Sequence, residues 1–118
     1  MTTDNSRAVK IAALNDAFRK QCSPLTEPPG GQLVITQGVN ALGGDAIVKI
    51  LEVVAGFNDF NDGNDPHGEH DFGAIEFEGE KIFWKFDYFD LRMKFGSEDP
   101  SDPSQTTRVL TIMLAEEY

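Results

Sequence analysis

Apolar residues recur every three or four positions in two segments of the first half of the chain. The first segment is SRAVKIAALNDAFRK, residues 6–20, and the second is DAIVKILEVVAGF, residues 45–57. The residues at this spacing are Ile11, Leu14 and Phe18 in the first segment and Ile47, Ile50, Leu51 and Val54 in the second. Because this spacing matches one face of an α-helix, both segments are predicted to be amphipathic helices. A short strand is predicted between them, around residues 33–36.

The period changes from helical spacing to alternation at residue 72, where the chain continues FGAIEFEGEKIFWKFDYFD. Alternating apolar and polar residues are typical of β-strands, so a hairpin is predicted with strands at 72–78 and 82–90 and a turn at Gly79. Its buried residues are expected to be Ile75, Phe77, Trp84 and Phe86, and its exposed residues Glu76 and Glu78. Alternation through Leu91, Met93 and Phe95 indicates a further short strand.

The end of the chain is predicted to be a helix. Asp102 provides an N-cap, Pro103 occupies the first helical position and Gln105 the third. Val109, Ile112 and Met113 would then lie on one side of this helix. The order of elements predicts one α+β domain, residues 1–118, with a small antiparallel sheet (the hairpin plus one or two short strands) packed against about three helices.

Composition limits the class of protein. The chain has 118 residues, of which 40% are hydrophobic, so it can bury a core without a metal or a disulfide. Cys22 is the only cysteine, which excludes an internal disulfide and a multi-cysteine zinc site, and it is interpreted as a packing or loop thiol. The sequence begins without an apolar signal-peptide core, and no run approaches the roughly 18 apolar residues of a membrane span. A cytoplasmic protein with no membrane partner is therefore predicted.

The negative charge is concentrated in one part of the chain. The net charge is −10, and residues 59–102 hold thirteen acidic and four basic residues, a net charge of −9. An acidic field repels nucleic-acid phosphates and attracts basic surfaces, so we expect no direct nucleic-acid binding and consider a basic protein partner possible. The candidate binding residues are Glu76, Glu78, Asp87, Glu98, Asp99 and Asp102.

Residues 61–73, NDGNDPHGEHDFG, hold both histidines of the chain among several carboxylates. Two imidazoles and a carboxylate suit zinc or mononuclear iron. The candidate ligands are His67, His70, Asp65 and Asp71. Pro66 and Gly68 disfavour the helical turn that would bring both rings to one side, and the spacing matches none of the familiar zinc or calcium motifs. We therefore expect no cofactor, although the residue types are compatible with a divalent metal.

The same stretch has two further interpretations. A histidine oriented by a carboxylate is the commonest general base, which makes His67, His70, Asp71 and Glu69 the catalytic candidates. No Gly-x-Ser-x-Gly nucleophile motif accompanies them. Asparagine, aspartate and glycine are also the residues of Asx turns and of positive-φ positions. A structured turn between the second helix and the hairpin is therefore the simpler interpretation.

Several long motifs together resemble one protein family. They are IAALNDAFR near the start, NDPHGEHDFG, KIFWKFDYFD, FGSEDPSDP, and the terminal TTRVLTIMLAEEY. With these motifs the chain resembles domain of unknown function 3768, a set of small bacterial proteins common on alphaproteobacterial chromosomes and plasmids. The resemblance implies an intracellular bacterial protein, often encoded on mobile DNA. It implies no reaction, cofactor or catalytic residue.

Two functional hypotheses follow. The favoured hypothesis is a non-enzymatic protein-interaction module whose acidic half meets a basic partner, for example by imitating nucleic-acid charge as an inhibitor of a defence nuclease. The alternative is a metal-dependent or His/Asp-based hydrolase that uses the cluster from Asp65 to Asp71. Exposed carboxylates on the hairpin would favour the first hypothesis. Convergence of His67, His70 and a carboxylate in a pocket would favour the second.

Overall fold

The structure is a computed structural model that describes residues 6–24 and 26–118. Three α-helices, four strands and a terminal 3-10 helix make up the described chain. In chain order they are α1 (Ser6–Gln21), β1 (Gly31–Ile35), α2 (Gln37–Asn40), α3 (Gly44–Gly56), β2 (Phe72–Phe77), β3 (Glu80–Phe89), β4 (Thr107–Leu114) and the 3-10 helix (Ala115–Glu117). The mixture of helices and one sheet agrees with the predicted α+β class. None of the helices described is long and apolar enough to cross a membrane.

The four strands form one sheet in the order β1-β4-β3-β2. The pairs β2–β3 and β3–β4 are antiparallel, whereas β1 and β4 are parallel. The prediction of an antiparallel sheet is therefore correct for three strands and wrong for the pairing of β1. Parallel neighbours need a long crossover, and here α2, α3 and the hairpin lie between β1 and β4. A short apolar strand carries no signal of its direction relative to a strand so far along the chain.

The predicted final helix is wrong, because residues 107–114 form β4, an interior strand of the sheet. Both faces of β4 are covered, so the strand is a nearly continuous apolar run whose residues also fit helical spacing. Its buried residues include Val109, Leu110, Ile112, Met113 and Leu114. The expected N-cap at Asp102 instead closes a turn, in which its carboxylate accepts hydrogen bonds from the backbone and hydroxyl of Ser104.

The β2–β3 hairpin is confirmed. Its turn residues Glu78 and Gly79 both have positive φ, 50° and 83°, as a two-residue type I′ turn requires. Ile75, Trp84 and Phe86 are buried, Phe77 is partly buried, and Glu76 and Glu78 are exposed.

The further strand predicted through Leu91, Met93 and Phe95 is wrong. These side chains are exposed in a loop after β3. The loop turns because the Asp90 carboxylate accepts hydrogen bonds from the backbone N–H groups of Arg92 and Lys94. Met93 adopts a φ of 59°, which breaks an extended strand.

The core lies between the helices and one face of the sheet. Phe18 of α1 packs edge-on against Phe86 of β3, and Ile50 and Val54 of α3 belong to the same cluster. Trp84 lies at its centre with no exposed surface. Gly73 of β2 faces that indole so closely that a Cβ there would clash with it. The shortest dimension of the molecule, 22 Å, fits a helix layer on a sheet at about 10 Å spacing.

Candidate functional site

The loop from Asn58 to Asp71 is held by its own side chains. Asn61 accepts hydrogen bonds from the N–H groups of Gly63 and Asn64 in an Asx turn. Asp65 is only 8% exposed, and its Oδ1 accepts the N–H groups of Glu69 at 2.9 Å and His70 at 3.1 Å. The polar side chains of this loop thus accept hydrogen bonds from backbone N–H groups that lie between α3 and β2, outside regular secondary structure.

His70 lies between two carboxylates. Its Nδ1 is 3.0 Å from both carboxylate oxygens of Asp16, and its Nε2 is 3.8 Å from Oδ2 of Asp65. The imidazole stacks on Phe60 with the ring centroids 3.9 Å apart, and the backbone of His70 has a φ of 55°. Because Asp16 occupies Nδ1, a substrate proton could be accepted only at Nε2, which has no hydrogen bond to Asp65 at 3.8 Å.

Arg19 connects this histidine to the core. It is 2% exposed, forms a 2.7 Å ion pair with Asp16, and donates hydrogen bonds to the carbonyls of Val54 and Phe57 at the end of α3. Its guanidinium carbon lies 4.7 Å from the ring centroid of Trp84, within the range of a cation–π contact. A positive charge here also suits the negative end of the α3 dipole.

The same residues border a pocket of about 390 Å³. Asp16, Arg19, Phe60 and His70 line it, together with Lys20 and the last turn of α3. The pocket places an oriented imidazole and a carboxylate at the surface. Within the described residues it brings no serine, threonine or cysteine to the histidine, since none lines it. The arrangement can bind or move a proton, and its lining offers no hydroxyl or thiol nucleophile.

A second buried network lies beside the first. Asn15 has no exposed surface, donates to the Glu69 carbonyl and the Tyr88 hydroxyl, and accepts a 2.9 Å hydrogen bond from Nε of Arg108. Arg108 also donates to the carbonyl of Pro100. Burial lowers the pKa of the Arg108 guanidinium and raises the pKa of the Tyr88 phenol. The network ties α1 to the loop before β2 and to β3 and β4.

The sequence pattern did not single out Asn15, Asp16, Arg19 or Arg108. One signal was available in α1. Asn15 falls four residues after Ile11 and three before Phe18, so a polar residue occupies the apolar face of the helix. A buried polar residue at such a position must find hydrogen-bond partners. Arg108 carried no comparable signal, because its segment was assigned to a helix.

The structure does not gather the predicted metal ligands. In residues 6–24 and 26–118, no three or more His, Cys, Asp or Glu side chains are placed to hold a metal ion. His67 is exposed, whereas the nitrogens of His70 face Asp16 and Asp65. The two imidazoles therefore have different surroundings, and one of the partners of His70 comes from α1.

Glu69 and Asp71 are partly buried carboxylates close to other negative charges. Desolvation raises the pKa of Glu69, and its neighbour Asp71 raises it further. Desolvation also raises the pKa of Asp71, with repulsion from Asp65 and Asp87 in the same direction. In the described part of the chain no lysine or arginine forms an ion pair with Glu69 or Asp71. This end of the sheet therefore holds unneutralised acidic groups.

The six predicted binding carboxylates fall into separate places. Glu76 and Glu78 are exposed at the turn of the hairpin. Asp87, at the other end of β3, forms a 2.7 Å ion pair with Lys85. Asp87 lies six residues along β3 from Lys81, the residue paired with Glu76, so about 20 Å separates Asp87 from Glu76. The structure therefore does not place the six residues in one continuous patch.

The remaining three lie in the loop after β3. Asp99 forms a 3.2 Å ion pair with Arg7 of α1, and Glu98 is exposed beside it. The pKa of Asp99 is lowered mainly by its hydrogen bond from Ser101, and that of Asp102 mainly by its hydrogen bond from Ser104. Asp99 and Asp102 thus have partners within the loop and α1. The carboxylates of Glu76, Glu78 and Glu98 have no ion-pair or hydrogen-bond partner among residues 6–24 and 26–118.

Cys22 is half-buried after α1, and desolvation, with repulsion from Glu27, raises its pKa to about 12. Because the thiolate is the reactive form, this thiol is poorly suited to catalysis or metal binding at neutral pH.

Comparison with known proteins gives one match. Residues 35–117 match the family described as "Protein of unknown function (DUF3768)", which confirms the family over these residues, while the motif IAALNDAFR lies outside them. The match runs from the last residue of β1 to the end of the terminal 3-10 helix and includes the hairpin and the loop that holds His67 and His70. No curated protein and no solved structure matched the chain.

Proposed function

Because the chain belongs to the DUF3768 family, a family of unknown function, we propose a function from its charge and surface. We propose that it is a cytoplasmic bacterial interaction module, without enzymatic activity, that binds a basic protein partner. The single observation that carries this proposal is the row of acidic residues along and beside β2. Asp71 precedes the strand, Glu76 lies in it, Glu78 lies in the turn, and Glu80 begins β3, with all three glutamates exposed.

The charge balance supports a basic partner. Around the hairpin turn only Lys81 offsets the three glutamates, and it faces Glu76 across the strand pair. Its ammonium lies 5.7 Å from the ring centroid of Phe83, a cation–π distance, and forms no ion pair in the described chain. Negative groups concentrated in this way raise the encounter rate with a positive surface. Screening acts over about 8–10 Å at physiological salt, so the encounter would weaken with added salt.

A nucleic-acid-binding protein is one member of this class of partner. Such proteins expose rows of lysine and arginine for phosphates, and an acidic surface competes for the same residues. The habitat on mobile DNA implied by the family resemblance makes a defence nuclease the example we propose. The carboxylates that would imitate nucleic-acid phosphates are those that form no ion pair in the described chain, Glu76 and Glu78 first.

Affinity capture with three baits tests this function. The baits are the wild-type chain, Glu76→Lys/Glu78→Lys, and a charge-matched control. The control, Glu52→Lys/Asp62→Lys, makes the same charge change at two exposed sites outside the hairpin. Wild type and control should both retain basic proteins, with affinity falling at least tenfold between 50 and 300 mM salt. The hairpin variant should lose them while keeping its thermal stability, because exposed charges contribute little to folding. Equal loss in both variants would reduce the effect to net charge and overturn the proposal.

A second candidate, hydrolysis, is favoured by one observation: the contact between Asp16 and Nδ1 of His70 beside the pocket. A carboxylate on Nδ1 orients an imidazole as a general base. A substrate would have to bind beside Nε2, where the Asp65 carboxylate lies at 3.8 Å. A water molecule would have to act as the nucleophile. Hydrolysis of nitrophenyl acetate or nitrophenyl phosphate that falls at least 100-fold in His70→Asn, with Asp65→Asn less affected, would support it. Equal rates in wild type and His70→Asn would remove it.

A further inference from the structure

The two edge strands of the sheet differ in the hydrogen-bond partners of their outward backbone groups. β1 forms one edge, and its outward N–H at Leu33 donates a 3.0 Å hydrogen bond to the Glu27 carboxylate. β2 forms the other edge and pairs only with β3. No residue of the described chain provides a hydrogen-bond partner to its outward backbone groups. One outward N–H of β1 is thus bonded by a side chain, whereas no outward group of β2 has a partner in the described chain.

The register identifies the open groups. The N–H of Phe86 donates to the Asp71 carbonyl at 2.9 Å, which makes Asp71–Phe86 a hydrogen-bonded pair. Hydrogen-bonded and non-bonded pairs alternate along an antiparallel ladder, so every second residue of β2 points its N–H and C=O away from β3. These residues are Phe72, Ala74 and Glu76. They present a regular row of donors and acceptors about 7 Å apart.

The usual protections of an edge strand are missing from β2. Its sequence, FGAIEF, contains no lysine and no proline, and the register with β3 runs through all six pairs without a bulge. Ala74, at the centre of the outward row, is exposed and has a small side chain. Carboxylates surround the strand instead, at Asp71, Glu76 and Glu78. They repel a second acidic copy of this chain and attract a basic segment.

The sheet face beside this edge offers contacts for side chains. Phe72 and Phe83 have ring centroids 5.1 Å apart, and Tyr118, which is 76% exposed, packs edge-on against both. A basic side chain can lie over these rings, as Lys81 already does over Phe83. Alternate side chains would turn to the opposite face, beside Ile75 and the partly buried Phe77.

We propose that the free edge of β2 binds an extended segment of the partner, with alternating basic and apolar residues, as a fifth strand of the sheet. This inference rests on the proposed function and specifies how the basic partner is held. Backbone hydrogen bonds to Phe72, Ala74 and Glu76 hold the segment, and its basic residues face Glu76 and the ring cluster. A charged surface alone would bind any polycation, whereas this edge selects one that is extended.

A synthetic ten-residue peptide of alternating lysine and valine is the probe. At saturating peptide, amide exchange at Phe72, Ala74 and Glu76 should slow at least tenfold. Exchange at Leu33, whose N–H is already bonded to Glu27, should not change. Protection spread over unrelated amides, or confined to other parts of the sheet, would overturn the proposal.

Two variants at one position separate backbone pairing from charge. Ala74→Pro removes an outward N–H without breaking the bonds to β3, since proline is tolerated where the N–H of an edge strand faces solvent. It should weaken peptide binding at least tenfold at unchanged net charge, whereas Ala74→Ser should bind within twofold of wild type. Amide spectra should show β3 and β4 intact in both variants. If the serine variant binds as weakly as the proline variant, the N–H is not the cause and the proposal fails.

The outcomes distinguish this inference from the function on which it rests. Equal binding of the peptide to wild type and Ala74→Pro, with loss in Glu76→Lys/Glu78→Lys, would overturn the added strand and leave a charge-based interaction. Absence of peptide binding, with basic partners still captured specifically by wild type, would also overturn the strand. Absence of both peptide binding and specific capture of basic proteins would overturn the proposal that the chain is an interaction module.

Discussion

Replacing Arg19 by methionine tests whether the buried guanidinium holds α1 onto the end of α3. Methionine keeps most of the aliphatic volume, so the change removes charge and hydrogen bonds and creates little cavity. It leaves the carbonyls of Val54 and Phe57 without their donor and Asp16 without its 2.7 Å partner. A buried polar group left unsatisfied costs about 1–3 kcal/mol, so the two carbonyls account for most of the expected loss, and Asp16, which is 30% exposed, adds little.

We therefore expect Arg19→Met to lower the free energy of unfolding by about 3–5 kcal/mol. In a domain of this size that corresponds to a fall in Tm of about 10–25 °C. Urea denaturation followed by tryptophan fluorescence is the assay, since Trp84 is the only tryptophan and lies under the Arg19 guanidinium. Lys20→Met is the matched control, because Lys20 is exposed on the same helix. A loss below about 1 kcal/mol, equal to that of the control, would refute the reasoning.

Three further predictions concern the core, the carboxylates and metals. Trp84→Ala should lower the free energy of unfolding by about 3–5 kcal/mol in thermal and urea denaturation, because the ring is fully buried. At pH 7 the variant Glu69→Gln/Asp71→Asn should have a higher free energy of unfolding than wild type. At pH 5 the difference between the two should be smaller. The raised pKa values mean that these carboxyls destabilise the fold as pH rises through them. Zinc or a chelator should leave the Tm unchanged, and a zinc-dependent rise lost in His70→Asn would contradict this.

Local pattern was sufficient for the elements whose two faces differ. The hairpin was predictable because Glu76 and Glu78 alternate with Ile75 and Phe77, and because glycine follows at the turn. α1 and α3 were predictable because their apolar residues repeat at the helical period. β4 was not, since an interior strand buries both faces and loses its alternation, so the segment also fits a helix.

The candidate site was predictable only in part, for a related reason. The sequence placed Asp65 and His70 in one polar loop and correctly indicated residues that form turns. It contained no information that Asp16 would contact His70, more than fifty residues along the chain. The contact of Arg19 with Phe60, more than forty residues along the chain, was equally without a signal. Such contacts depend on how α1 packs against α3 and, through Phe18 and Phe86, against the sheet.

The sequence by itself determined the charge of the chain, the hairpin, two helices and the polar character of the loop before β2. Each of these depends on residues within a few positions of one another. The tertiary structure alone decided that β1 runs parallel to β4, that His70 faces Asp16, and that β2 is left at an open edge. These features arise between segments far apart in the chain, where position is determined by the joint packing of the core and has no local signature.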